Sequence, residues 1–160
     1  MSFDQRGFRD ALGQFPTGVT VITASPEGYK PFGVTANSFS SVSLDPPLVL
    51  WSLQKNSDTF AAFEKAEKFT VNVLAADQQD ISNQYAKKNQ HDLEEGHFSI
   101  GDSGAPVLND ALVSFECAID ASHDGGDHVI LVGKVLVVSE VSDADPLVFH
   151  SGQYRQLNGQ

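Results

Sequence analysis

Two sets of residues have the types and spacing for chemistry. The first is Thr35, Ala36, Asn37 and Ser38, followed by Ser40 and Ser41 and, beyond an Asp45-Pro46-Pro47 corner, by Lys55, Asn56 and Ser57. Small residues let a planar ring lie close to the main chain, whose N–H and C=O groups then bond its edge. Ser57 stands at the N-cap position of a helical pattern. Its hydroxyl, the nearby Lys55 and the free N–H groups of a helix start would together suit a phosphate. The stretch therefore reads as a surface for something flat with an anionic tail; the plainer alternative is a serine-rich turn between two strands. The second set is Gly126, Asp127 and His128, where a tight turn opens into a strand. A histidine at such a mouth donates to a carbonyl or carboxamide, or titrates near neutral pH. The alternative is a turn histidine bonded to Asp127. Tyr154, near the chain end, either meets a ring at a pocket rim or closes a barrel or subunit interface.

Other chemistries find no support. His123 and His128 flank one turn, but the spacing matches no standard metal set, and no metal site is expected. Cys117 lies in an apolar run and reads as a small buried hydrophobe. No G-x-S-x-G elbow is present, so the serines of residues 38–43 read as hydrogen-bond donors. No G-x-G-x-x-G or Walker pattern occurs, so a dinucleotide would not be held on a Rossmann fold. His91 and His97 fall in a polar loop, and His150 has no evident role.

The chain has 160 residues and a formal net charge of −11 at pH 7. That length suits a single domain spanning residues 1–160. An acidic chain with no Lys/Arg cluster is a poor match for nucleic acid or an anionic membrane. An anionic ligand would need local donors against that field. With one cysteine, no signal core and no apolar run of membrane length, a cytoplasmic setting is expected.

The elements that must position these residues follow from periodicity. Ser2, with Gln5 three residues on, caps a helix in which Phe8, Ala11, Leu12 and Phe15 share one face. That face would plug a barrel end or pack on a partner subunit. Residues 17–24, 32–37 and 48–53 read as strands, the third buried on both faces. Residues 57–68 read as a helix, 69–74 as a strand, and Asp77 as the cap of a helix through residue 87. Residues 89–105 read as a long mobile loop. Residues 113–123 and 128–141 read as paired strands with Gly133 as a bulge, and 147–149 as a short strand. This makes a mainly β chain with peripheral helices and no βαβ rhythm, expected to form a closed antiparallel barrel.

In order, Phe8 to Val19 (FRDALGQFPTGV), Gly33 to Phe39 (GVTANSF), Val42 to Leu48 (VSLDPPL), Phe69 to Leu74 (FTVNVL), Gly126-Asp127-His128 and Leu147 to Tyr154 (LVFHSGQY) resemble the short-chain flavin reductases of the FMN-binding split-barrel class. The resemblance spans nearly the whole chain. It implies that Thr35, Ala36, Asn37 and Ser38 line the flavin ring, and that Ser40, Ser41, Lys55, Asn56 and Ser57 hold the ribityl chain and phosphate. It places Gly126, Asp127 and His128 beside the nicotinamide, with Tyr154 closing that side. The implied activity is hydride transfer from NADH or NADPH to FMN or FAD, in a homodimer that supplies reduced flavin to a monooxygenase. The alternative is a flavin-binding module, a sensor or carrier, that oxidises no nicotinamide.

Overall fold

The computed structural model describes residues 3–157. Ser2, read as a cap, lies outside them; the first helix, α1 (Gln5–Leu12), is capped by Asp4, whose carboxylate accepts from the Arg6 and Gly7 amides. The strands are β1 (Thr17–Gly18), β2 (Thr20–Ala24), β3 (Phe32–Ala36), β4 (Ser40–Leu44), β5 (Pro47–Gln54), β6 (Lys68–Val73), β7 (Phe98–Ile100), β8 (Pro106–Leu108), β9 (Val113–Gly125), β10 (His128–Val138), β11 (Val148–His150) and β12 (Gln153–Arg155). Helix α2 (Phe60–Lys65) precedes β6. Helix α3 (Gln79–Gln84) follows a 3₁₀ turn at Ala76–Gln78, and it ends short of residue 87. Asp77 lies inside that turn, and Ala75 takes the cap position expected for it.

Seven strands form one antiparallel sheet in the order β3-β2-β6-β9-β10-β5-β4. Its edges, β3 and β4, are not hydrogen-bonded to each other, so the ladder is open between them. A second sheet joins β1, β11 and β12; the expected first strand breaks at Val19, so that β1 pairs with β11 while β2 joins the large sheet. The fold is mainly β with few helices.

The apolar interior gathers Trp51, Phe63 and Phe69 in edge-on contacts, with ring centroids 5.0 Å and 6.0 Å from Trp51. Gly133 makes this possible: a Cβ there would stand 2.5 Å from Phe69 Cζ. The β9–β10 ladder slips one residue at this glycine, as a bulge should. Helix α2 buries Ala62 and Phe63 on this side. Val49, Trp51 and Leu53 of β5 point inward and are buried, while Leu48, Leu50 and Ser52 are half-buried, so β5 alternates where continuous burial was expected.

β2 and β6 are buried on both faces because residues 85–108 cover the far one. Asn72 satisfies all of its side-chain capacity there. Its amide donates to Val21 O and Thr23 Oγ1, and its Oδ1 accepts from the Leu108 amide and the Ser114 hydroxyl. Residues 89–105 are thus a pinned strap, not a mobile loop. The Gly33 amide donates to His91 O and the Leu93 amide to Pro31 O, each at 2.8 Å, and β7 pairs with β8. The Tyr85 hydroxyl, accepting from the Glu94 amide, bonds His97 Nδ1 at 2.8 Å. Helix α1 buries no residue: Phe8, Leu12 and Phe15 stay exposed, so α1 plugs nothing within this chain.

Candidate active site

Strand pairing brings the two candidate sets together. β5 runs antiparallel to β10, which sets His128 opposite Gln54. The connector after β3 is fastened to β5 by one hydroxyl. Ser38 Oγ accepts from the Ser52 amide at 2.9 Å and donates to Ser52 O at 3.2 Å. The result is a cavity of about 260 Å³, lined by Val34, Thr35, Ala36, Asn37, Ser38, Trp51, Ser52, Leu53, Gln54, Ser57 and His128. A neighbouring cavity of about 340 Å³ shares Val34, Thr35, Gln54 and Ser57, and adds Asn56, Asp58, Ala86, Lys88 and His91.

The remaining expected residues stand outside these walls. Ser40 and Ser41 are exposed on edge strand β4. The Lys55 ammonium is paired with Asp124, and its amide donates to Asp127 O at 2.9 Å. Gly126, at φ 74°, makes the hairpin turn in the left-handed region that favours glycine. Tyr154 sits on β12. Its hydroxyl bonds Ser82 Oγ at 2.7 Å and donates to Asn83 Oδ1 at 3.0 Å, and Ser82 O in turn accepts from Thr35 Oγ1 at 2.7 Å. Tyr154 therefore reaches the cavity wall only through Ser82 and Thr35.

Ser57 is not a helix cap. α2 begins at Phe60, with Thr59 at its cap position, and has only six residues. Ser57 Oγ instead accepts from the Thr59 amide at 3.2 Å and shares a 2.8 Å bond with Thr59 Oγ1. The local cause is a turn at residues 55–56 that delays the helix.

His128 Nδ1 lies 2.7 Å from Asp127 Oδ1. An ionised carboxylate only accepts, so Nδ1 carries the proton and Nε2 is the ring atom left for a ligand. That bond, with the histidine's charge, holds the Asp127 carboxyl below the usual carboxylate range; the Lys55 bond does the same for Asp124. Sequence reasoning passed over His91 and Asp58. His91 Nε2 lies 2.9 Å from Asp58 Oδ1 and its Nδ1 2.9 Å from Gly33 O, while Asp58 Oδ2 accepts from the Asn89 amide. Burial pushes the Asp58 carboxyl up, but the Asn89 amide and His91 outweigh it and hold it below its usual range.

The walls suit a flat group with an anionic end. The side lined by Ala36, Asn37 and Ser38 carries no bulky side chain, and Trp51 is buried with an indole N–H that finds no partner. The other end carries Asn56, Ser57 and Lys88 as local donors, which an acidic chain needs for an anion, beside the paired Asp58 and His91.

Residues 12–158 match the Flavin reductase like domain, so this chain belongs to the flavin reductase-like family. Among similar proteins, the FMN reductase (NADH) SmoA of Agrobacterium fabrum is 48% identical over 158 residues, covering 98% of this chain and 88% of that protein. HsaB of Rhodococcus jostii, the reductase subunit of a flavin-dependent monooxygenase, is 39% identical over 153 residues, covering 96% and 78%. The solved structure of the NADH:FAD oxidoreductase SgcE6 of Streptomyces globisporus C-1027, in complex with NAD and FAD fragments, superposes with a TM-score of 0.90 at 35% identity, covering 97% and 93%.

Proposed function

We propose that this chain is an NAD(P)H:flavin oxidoreductase whose flavin ring rests against Thr35, Ala36, Asn37 and Ser38, with its tail running toward Asn56 and Ser57. The observation that carries this is the pair of adjoining cavities sharing Thr35 and Ser57: the first has the small side chains of Ala36, Asn37 and Ser38 along one side, and the second offers Asn56, Ser57 and Lys88 as donors. Bound flavin would supply the acceptor for a hydride from reduced nicotinamide. The chain's own residues bind, orient and polarise. His128, fixed through Nδ1 by Asp127, presents Nε2 at the mouth beside Gly126, where it meets the nicotinamide side. Tyr154 is a positioning residue, acting through Ser82 on Thr35. Lys55 braces the hairpin through Asp124, and Ser40 and Ser41 support the ribityl side from the edge strand.

The edges of the large sheet, β3 and β4, are consecutive in the chain and joined only by residues 37–39, so the sheet coils toward its own seam. This supports a split barrel that closes there, as one domain over residues 1–160. The exposed apolar face of α1 supports a homodimer, and relatives named as monooxygenase reductase subunits support a flavin-dependent monooxygenase as the consumer of reduced flavin. Among the described residues, no helix is long and apolar enough to cross a membrane.

The test is flavin-dependent loss of reduced-nicotinamide absorbance, with FMN, FAD and riboflavin each paired with NADH and NADPH. Turnover with one or more flavins is the expected result. Tight flavin binding without nicotinamide oxidation would reduce the chain to a binding module, and no binding at all would reject the site.

A further inference from the structure

A carboxylate lines the cavity that the preceding reading assigns to a phosphate. Asp58 lines it with Asn56 and Ser57, and Lys88, just before the strap, lines it too. Left alone, Asp58 would repel a phosphate. It is not left alone. His91 faces two acceptors, the Asp58 carboxylate through Nε2 and Gly33 O through Nδ1, and only a doubly protonated ring donates to both. The side chain of His91 is 11% exposed. Its cation therefore sits inside the wall, against the carboxylate, where solvent screens it least.

We propose that His91 is a positioning and specificity-determining residue: it cancels the Asp58 charge and so makes this end of the cavity receptive to a phosphorylated flavin over an unphosphorylated one. The Asp58 bonds to His91 and to the Asn89 amide also span from the loop before α2 to the strap, so the same pair fixes the width between the cavity's walls. This inference rests on the flavin tail lying beside Ser57, as proposed above.

The test compares FMN with riboflavin, which has the same ring and no phosphate, by quenching of flavin fluorescence on the full chain. Wild type is expected to prefer FMN. In H91Q, FMN affinity should fall about tenfold, as one uncompensated charge near a protein surface predicts, with riboflavin affinity within about twofold of wild type. The D58N/H91Q double variant should recover FMN binding, because the repelling charge is gone. D58N alone should keep the preference for FMN or increase it, since an amide still offers an acceptor to Asn89 N–H. Equal losses for both flavins in H91Q, or no recovery in the double variant, would overturn charge compensation and leave only a clasp. If H91Q does not fold, D58N decides: loss of the FMN preference overturns the proposal. A wild type that binds both flavins alike, with Ser57→Ala also without effect on FMN, would instead remove the phosphate from this cavity and defeat the site reading itself.

Discussion

His128 takes its carboxylate from the residue before it, Asp127, at an exposed hairpin tip; His91 takes its carboxylate from Asp58, distant in sequence and across a cavity wall. The two pairs have nearly the same length, 2.7 Å and 2.9 Å, and flank adjoining cavities. Their surroundings differ. The Asp127 side chain is 91% exposed, so water can replace the bond at little cost. The Asp58–His91 pair is mostly enclosed and also carries the Gly33 carbonyl and the Asn89 amide. One pair orients a ring at the edge of a cavity; the other holds two segments of chain together. Similar distances therefore say little about what a pair does, and burial with shared partners says much more.

The sharpest way to break this contrast is His91→Ala. It strands the Asp58 carboxylate and the Gly33 carbonyl, and should cost about 2–3 kcal/mol of folding stability in denaturant melts. Asp127→Ala should leave the melt where it is; a comparable loss would erase the distinction. His128→Ala should invert the pattern, slowing flavin reduction by about tenfold to a hundredfold in stopped flow while changing flavin affinity far less. Equal reduction rates would return His128 to a turn residue. Ser57→Ala should weaken FMN binding by about 1–3 kcal/mol, read as a dissociation constant. An unchanged constant would take Ser57 out of the site.

Acid separates the pairs further. The folded Asp58 carboxyl titrates below its unfolded value, so its stabilisation is complete above the unfolded pKa near 4. It is lost as pH falls through the lower folded value. Acid melts of wild type and Asp58→Asn should therefore differ fully above about pH 4, draw together as the pH falls below it, and meet only below the folded value. The smallest expected effect is at Cys117. Burial, with Glu116 beside it, pushes its thiol up to about 12, and alkylation near neutral pH should be slow. It should stay slow in His91→Ala if that change loosens only the strap. Rapid alkylation would show that the interior has opened as well.

The contrast also marks what sequence can reveal. Asp127 and His128 are neighbours at a Gly-Gly-Asp turn, so local chemistry exposes their pairing. Nothing local joins residue 58 to residue 91, and His91 lies in a polar stretch with few apolar anchors. That stretch is held by main-chain bonds to β3 and by Asn72 and Tyr85, none of which leaves a periodic signal. β4 escaped notice for a related reason: its serines read as a turn, and its apolar Val42 and Leu44 are exposed, so no buried face marks a strand. The β9–β10 hairpin, the bulge at Gly133 and the small-sided wall of Thr35 to Ser38 were legible, because alternation and residue size specify them directly. The helix at residues 57–68 was legible in kind and misplaced in its start. That error made Ser57 a cap, when its hydroxyl is bonded within its own turn.

Trp51 is the chain's sole tryptophan, and it touches both Phe69 in the interior and the small-sided cavity. Nature has thus installed a single intrinsic fluorophore at the junction between scaffold and binding pocket. Its emission can follow unfolding and ligand capture in one unlabelled sample, and a yellow ligand nearby would dim it by energy transfer well before the fold gives way.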